Sequence, residues 1–197
     1  MDVSALEPPG KATRSNTRYA EIIREAAQLF RERGYAGTTV RDLAKAVGVT
    51  SGNLFHHFGT KEAILLCVVK EGLGQATDLI ERKRSRKRDP RSRMAAMIGA
   101  HLSALLEGSS ETKSIMFYEW WSLSEEGRLA IMELRDQYEA LWDEAIAELQ
   151  GRTSKPEQRR VKRLLLFGAM NWTTQWYRPG GPMTVDDLTK ELMNTYF

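Results

Sequence analysis

Between Thr39 and Lys61 the chain reads T-V-R-D-L-A-K-A-V-G-V-T-S-G-N-L-F-H-H-F-G-T-K, and no other stretch restricts the fold as much. Val40, Leu43, Ala44 and Val47 recur at helical spacing, Gly48 interrupts the period, and Val49, Leu54, Phe55 and Phe58 supply a second apolar stripe. The pattern predicts two short helices joined by a sharp turn. Ala44 lets them approach closely, Gly48 can take the positive φ that such a turn asks for, and Leu54 plugs the angle between them. Thr39, Thr50 and Thr60 stand where N-caps belong. The unit expected is a helix-turn-helix.

Its outer face is small and hydrogen-bonding. Thr50, Ser51, Gly52, Asn53, His56 and His57 lie on or near the first turns of the second helix. Thr39 and Arg41 open the first helix, and Lys61 begins the one that follows. Such residues suit base edges and phosphates in a DNA groove; the competing reading is a helical hairpin with a solvated face. From Lys11 to Thr60 there are eight Lys/Arg against four Asp/Glu, a local excess able to attract phosphate, whereas the whole chain carries only +3. Indiscriminate coating of nucleic acid, as by an architectural protein, is therefore the weaker DNA-binding alternative.

The 197 residues suit a small N-terminal module and one larger domain. No apolar run approaches the roughly 20 residues of a membrane span, and no signal-peptide core is visible, so a cytoplasmic protein without a membrane partner is expected. The single Cys67 lies in I-L-L-C-V-V and reads as a buried thiol. Three His, one Cys and the absence of G-x-S-x-G or H-E-x-x-H assemble neither a nucleophile with its base nor a metal set. Adjacent His56 and His57 point to different helix faces. No enzyme, metal or cofactor is expected.

Residues 1–15, with Pro8, Pro9 and Gly10, read as a disordered arm whose Lys11 and Arg14, with Arg18 just beyond, either touch phosphate or keep it solvated. Residues 16–60 form the DNA-binding domain, beginning with a helix from about Thr17 to Arg33 that Gly34 stops; residues 61–197 form the second domain. Glu81 to Arg93 carries eight basic residues, either as a solvated helix end favoured by the helix dipole or as an attractor of an anionic effector or distal phosphates. From Met94 onward the chain is helical, with breaks at 108–110, near 122–124, at 151–154 and at 179–182. Ser124, Ser154-Lys155-Pro156-Glu157 and Thr184 supply caps. No alternating β pattern occurs. The fold class is all-α.

The second domain is rich in Met and aromatic residues. Met97, His101, Phe117, Trp120, Trp121 and Tyr138 are candidates for an adaptable apolar pocket, although each can equally be core. In N-W-T-T-Q-W-Y-R-P-G-G-P-M-T, Trp172 and Trp176 share a helix face, with Gln175 and Arg178 beside them. That helix end either grips a carbonyl or phosphate or forms part of a dimer seam.

The block from Arg18 to Leu65, with A-A-Q-L-F-R-E-R-G-Y-A-G-T-T-V-R-D-L-A and S-G-N-L-F-H-H-F-G-T-K-E-A, resembles the DNA-binding domain of the tetracycline-repressor (TetR) family. The resemblance implies an all-helical homodimer on a double-stranded, palindromic operator, whose C-terminal domain binds a small molecule and so controls release. It implies that the helix starting at Thr60 swings when ligand binds. It also implies that the last two long helices, about Pro156 to Tyr177 and Thr184 to Phe197, form a four-helix bundle with the partner. Val161, Leu164, Leu165, Phe167, Gly168, Leu188 and Leu192 are then the seam residues. The run W-Y-R-P-G-G-P is similar to a segment of the branch that senses acyl-CoA thioesters, which makes a hydrophobic acyl-CoA the expected effector; the alternative is a drug or other hydrophobe controlling an efflux gene.

Overall fold

In a computed structural model, residues 14–106, 122–151 and 154–197 are described. They form eight helices and no strand. We number them α1 (Arg14–Gly37), α2 (Val40–Ala46), α3 (Ser51–Phe58), α4 (Lys61–Arg84), α5 (Pro90–Leu106), α6 (Glu125–Gln150), α7 (Pro156–Trp176) and α8 (Val185–Tyr196). A helix expected between the breaks at 110 and 122 lies outside the described residues.

Two compact units divide these helices: 14–72 with 122–133, and 73–106 with 134–197. They differ from the domains 16–60 and 61–197 drawn from sequence, because α4 and α6 each contribute their first part to one unit and the rest to the other.

In the first unit, Ile22, Ala26 and Phe30 of α1, Leu43 and Ala44 of α2, Leu54 of α3 and Ile64 and Leu65 of α4 are all buried. Helix α1 begins earlier than expected and loses helical geometry at Gly34, whose φ of 70° ends the regular turn there. Buried Thr38 closes that end by donating its hydroxyl to the carbonyls of Leu29 (3.2 Å) and Gly34 (2.9 Å). At the start of α6, Glu62 Oε1 accepts the backbone N–H of Ser124 at 2.7 Å. A Cβ at Gly127 would come within 2.9 Å of that carboxylate oxygen, so the missing side chain makes room for the contact.

In the second unit, Met94, Met97, Ile98 and Leu102 of α5, Trp142 and Ile146 of α6, Leu166 and Met170 of α7 and Val185 and Met193 of α8 form the core. Helix α8 packs chiefly on α5, where Gly99 allows close approach to Thr189. The cap of α8 is the expected reciprocal one: Asp187 N–H donates to Thr184 Oγ1 (3.1 Å) and Thr184 N–H to Asp187 Oδ2 (3.0 Å). The cap of α7 lies one residue later than expected. Lys155 is its N-cap, and its N–H donates to the Gln158 side-chain carbonyl (3.4 Å), because Pro156 at the first position sets the start.

Candidate DNA-binding face and effector layer

Thr39 caps α2 by accepting Asp42 N–H (3.2 Å), and Thr50 caps α3 by accepting Asn53 N–H (3.2 Å). Gly48 between them has φ 65°, and Leu54 is buried at the angle of the helices. This packing leaves Thr39, Arg41, Thr50, Gly52, Asn53, His56 and His57 exposed and Ser51 half-buried. The two histidine rings meet edge to face at 5.5 Å. Phe55 is 52% exposed on the same helix, so an aromatic ring stands among the polar groups.

Lys61, expected at phosphate, and Arg18, for which phosphate contact was one of two readings, each make hydrogen bonds within this unit. Lys61 Nζ donates to the carbonyls of Tyr35 and Thr38, both at 2.8 Å, and lies 4.0 Å from the centre of the Tyr35 ring. The Tyr35 carbonyl also accepts the Thr38 N–H at 3.2 Å, so the half-buried ammonium is its second donor, and it satisfies the Thr38 carbonyl in the α1–α2 connection. Arg18 lies within α1 and donates to the carbonyl of Val47 (3.0 Å) at the end of α2. Lys11 lies outside the described residues.

In the second unit a polar group crosses the apolar core. His101 Nδ1 meets the Tyr138 hydroxyl at 2.6 Å, and Nε2 meets Asn171 Oδ1 at 3.3 Å. An amide oxygen only accepts, so Nε2 carries the proton and Nδ1 accepts from Tyr138 O–H, given that amide orientation. Burial pulls the His101 pKa down to about 4 and pushes the Tyr138 hydroxyl well above its ordinary value, leaving both neutral. The Phe167 ring stacks on His101 (5.7 Å, 14° between planes) while Trp142 meets it edge-on (5.7 Å, 90°). The Trp142 indole N–H is buried with no acceptor in hydrogen-bonding geometry, although it lies near enough to the Tyr138 hydroxyl to favour its ionised form slightly.

This layer holds His101 and Tyr138 of the expected effector set, and Met97 is buried one turn before His101 on α5. It adds Trp142, Phe167 and Asn171. Phe167 was expected at the seam, but its ring faces His101. The visible signal for these additions was the four-residue spacing of Tyr138 and Trp142 and of Phe167 and Asn171. Phe117, Trp120 and Trp121 lie outside the described residues.

Trp172 and Trp176 stand outward, 67% and 47% exposed, and Gln175 and Arg178 are exposed as well. Along α7 they continue the exposed row of Val161, Leu164, Leu165 and Gly168, so the helix carries one apolar stripe on its solvent side. Leu188, expected in the seam, is only 5% exposed: it sits on the face of α8 that packs inward, while Leu192 is half-buried. Arg163, on the inner side of α7, is buried and pairs with Glu139 and Asp143. Of the basic run, Arg84 pairs with Glu144 and Arg93 with Glu148, each at 3.1 Å.

Residues 22–68 match the family model for bacterial regulatory proteins of the tetR family, and residues 87–197 match that of the tetracyclin repressor-like C-terminal domain. The chain belongs to the TetR family. It is a TetR-type transcriptional repressor, and members of this family bind operator DNA and dimerise. It is 32% identical to the HTH-type transcriptional repressor KstR2 of Rhodococcus jostii (strain RHA1), over 95% of this chain and 93% of that protein. Among solved structures, the superantigen PfiT is 35% identical with a TM-score of 0.79, covering 93% of this chain and 98% of its own. AibR in complex with isovaleryl coenzyme A and operator DNA is 26% identical with a TM-score of 0.79, covering 91% and 98%. FadR from Bacillus subtilis in complex with stearoyl-CoA is 26% identical with a TM-score of 0.74, covering 90% and 97%. Among the described residues of this TetR-family chain, no helix is long and apolar enough to cross a membrane.

Proposed function

We propose that this TetR-family repressor grips a palindromic operator as a homodimer and releases it on binding an acyl-CoA thioester. In this reading the exposed side of α3 enters the major groove: Asn53 reads base edges, while Ser51, His56 and His57, with Thr39, Arg41 and Thr50, hold the backbone. The acyl group lies against the His101–Tyr138–Trp142–Phe167 layer, with Met97 as an adaptable wall.

The observation that carries the effector reading is the neutral, buried His101, hydrogen-bonded on both nitrogens and enclosed by aromatic rings. Apolar walls with a few placed polar groups suit an acyl chain ending in a thioester carbonyl. The isovaleryl- and stearoyl-CoA complexes of AibR and FadR support the same class. The test is thermal shift and operator release with isovaleryl-CoA, stearoyl-CoA and the matching free acids. The thioesters are expected to raise Tm and free the DNA, and the acids to do neither. If no thioester has any effect, the acyl-CoA reading fails, and a drug or other hydrophobe takes its place.

A further inference from the structure

From Arg82 to Arg93 the chain carries eight basic residues and one acid, Asp89. Asp89 is engaged locally, accepting Ser92 N–H at 2.9 Å. Arg84 and Arg93 are held by Glu144 and Glu148 of α6, and Arg91 donates to the carbonyl of Phe197 at 3.1 Å. Arg82, Lys83, Arg86, Lys87 and Arg88 are exposed and pair with no carboxylate among the described residues. The helix dipole accounts for cations in the last turn of α4, which ends at Arg84, but not for Arg86, Lys87 and Arg88 beyond it. These three repel one another in a turn anchored on both sides to α6, so an anion arriving there relieves repulsion at little ordering cost.

The turn also leads directly into the helix that carries His101. Pro90, the first residue of α5, lies eleven residues or about 16 Å from His101 along the helix axis. An extended pantetheine arm spans such a distance. We propose that Arg82, Lys83, Arg86, Lys87 and Arg88 bind the phosphates of the nucleotide end of a coenzyme A thioester whose acyl end lies at His101. This rests on the acyl-CoA reading above.

The test titrates the full-length protein with isovaleryl-CoA and stearoyl-CoA, with the corresponding acyl-pantetheines, which lack phosphate, and with 3′,5′-ADP alone. It compares wild type, an Arg86→Gln/Lys87→Gln/Arg88→Gln variant and the exposed surface control Lys190→Gln. The triple variant should lose about tenfold or more in CoA-thioester affinity, together with most of the salt dependence and all 3′,5′-ADP binding. Acyl-pantetheines should bind wild type and variant alike, and the control should match wild type. Unchanged CoA-thioester affinity in the triple variant overturns this site and leaves the effector reading standing. Weakened operator binding with unchanged thioester affinity assigns the cations to DNA, and likewise overturns it. If wild type binds neither thioesters nor acyl-pantetheines, the acyl-CoA reading itself fails, and this site with it.

Discussion

Lys61 carries a structural role that its place in the sequence does not show, and that role is measurable. A lysine at the first turn of the helix after α3 reads as a phosphate contact, yet its ammonium is held by the carbonyls of Tyr35 and Thr38. Lys61→Met should therefore destabilise the fold by about 2 kcal/mol, through the Thr38 carbonyl left unmet and the loss of a charged donor from the Tyr35 carbonyl, which keeps the Thr38 N–H. Its effect on the salt slope of operator binding should be small, measured well below its lowered Tm. A fully flattened slope with unchanged Tm would return Lys61 to the DNA face. His101 gives the second prediction at this scale. An unfolded histidine titrates near 6.5, whereas the buried one titrates at about 4. Its contribution is thus complete above the higher value and is lost as the pH falls towards the lower, because the unfolded chain takes up the proton first. Denaturant unfolding should reveal a loss on the order of 3 kcal/mol across that window, and His101→Gln should remove most of the slope. What sequence could not reveal at this scale is direction: spacing places Lys61, Arg18 and Phe167 on their helices, but the partner each meets is fixed by residues far along the chain.

Among the elements, the helix-turn-helix was legible almost residue by residue, because its determinants are local. Caps at Thr39 and Thr50, a positive φ at Gly48 and a plug at Leu54 all act within a few residues of where they stand. Most boundaries of α5 to α8 were legible for the same reason. Their faces were less so: the Met- and aromatic-rich sequence gives every helix more than one apolar side, and only packing decides which one turns inward. Trp172 and Trp176, read as effector-binding, stand on the solvent side of α7, whereas Trp142 and Asn171 are placed at the layer around His101. On the recognition helix itself, Asn53→Ala should relax discrimination at particular base pairs by roughly 1 to 3 kcal/mol. His56→Ala should weaken operator and random duplex equally and flatten the salt slope. Competition binding against permuted operators separates the two, and identical behaviour of both variants on all sequences would remove α3 from the groove.

For the whole molecule, the outward stripe of α7 bears on stoichiometry. Val161, Leu164, Leu165, Gly168, Trp172 and Trp176 place an apolar row in solvent, with Leu165 60% exposed, in a chain whose family dimerises. A second copy that covers the row would remove both indoles from water, and large aromatic side chains are the usual energetic centres of such contacts. Dimerisation also serves DNA reading. One short helix meets too few base pairs for a selective site, whereas two copies reach successive major-groove faces about 34 to 36 Å apart. Leu165→Glu would oppose like charges across a two-fold axis and bury them without partners. Sedimentation should then show a monomer at concentrations where wild type is dimeric, with near-UV and far-UV spectra of a folded chain. Operator affinity should fall by about a hundredfold, with the residual binding no longer sensitive to half-site spacing. A variant that stays dimeric and keeps its operator affinity would move the seam off this face of α7, leaving Trp172 and Trp176 exposed for another partner.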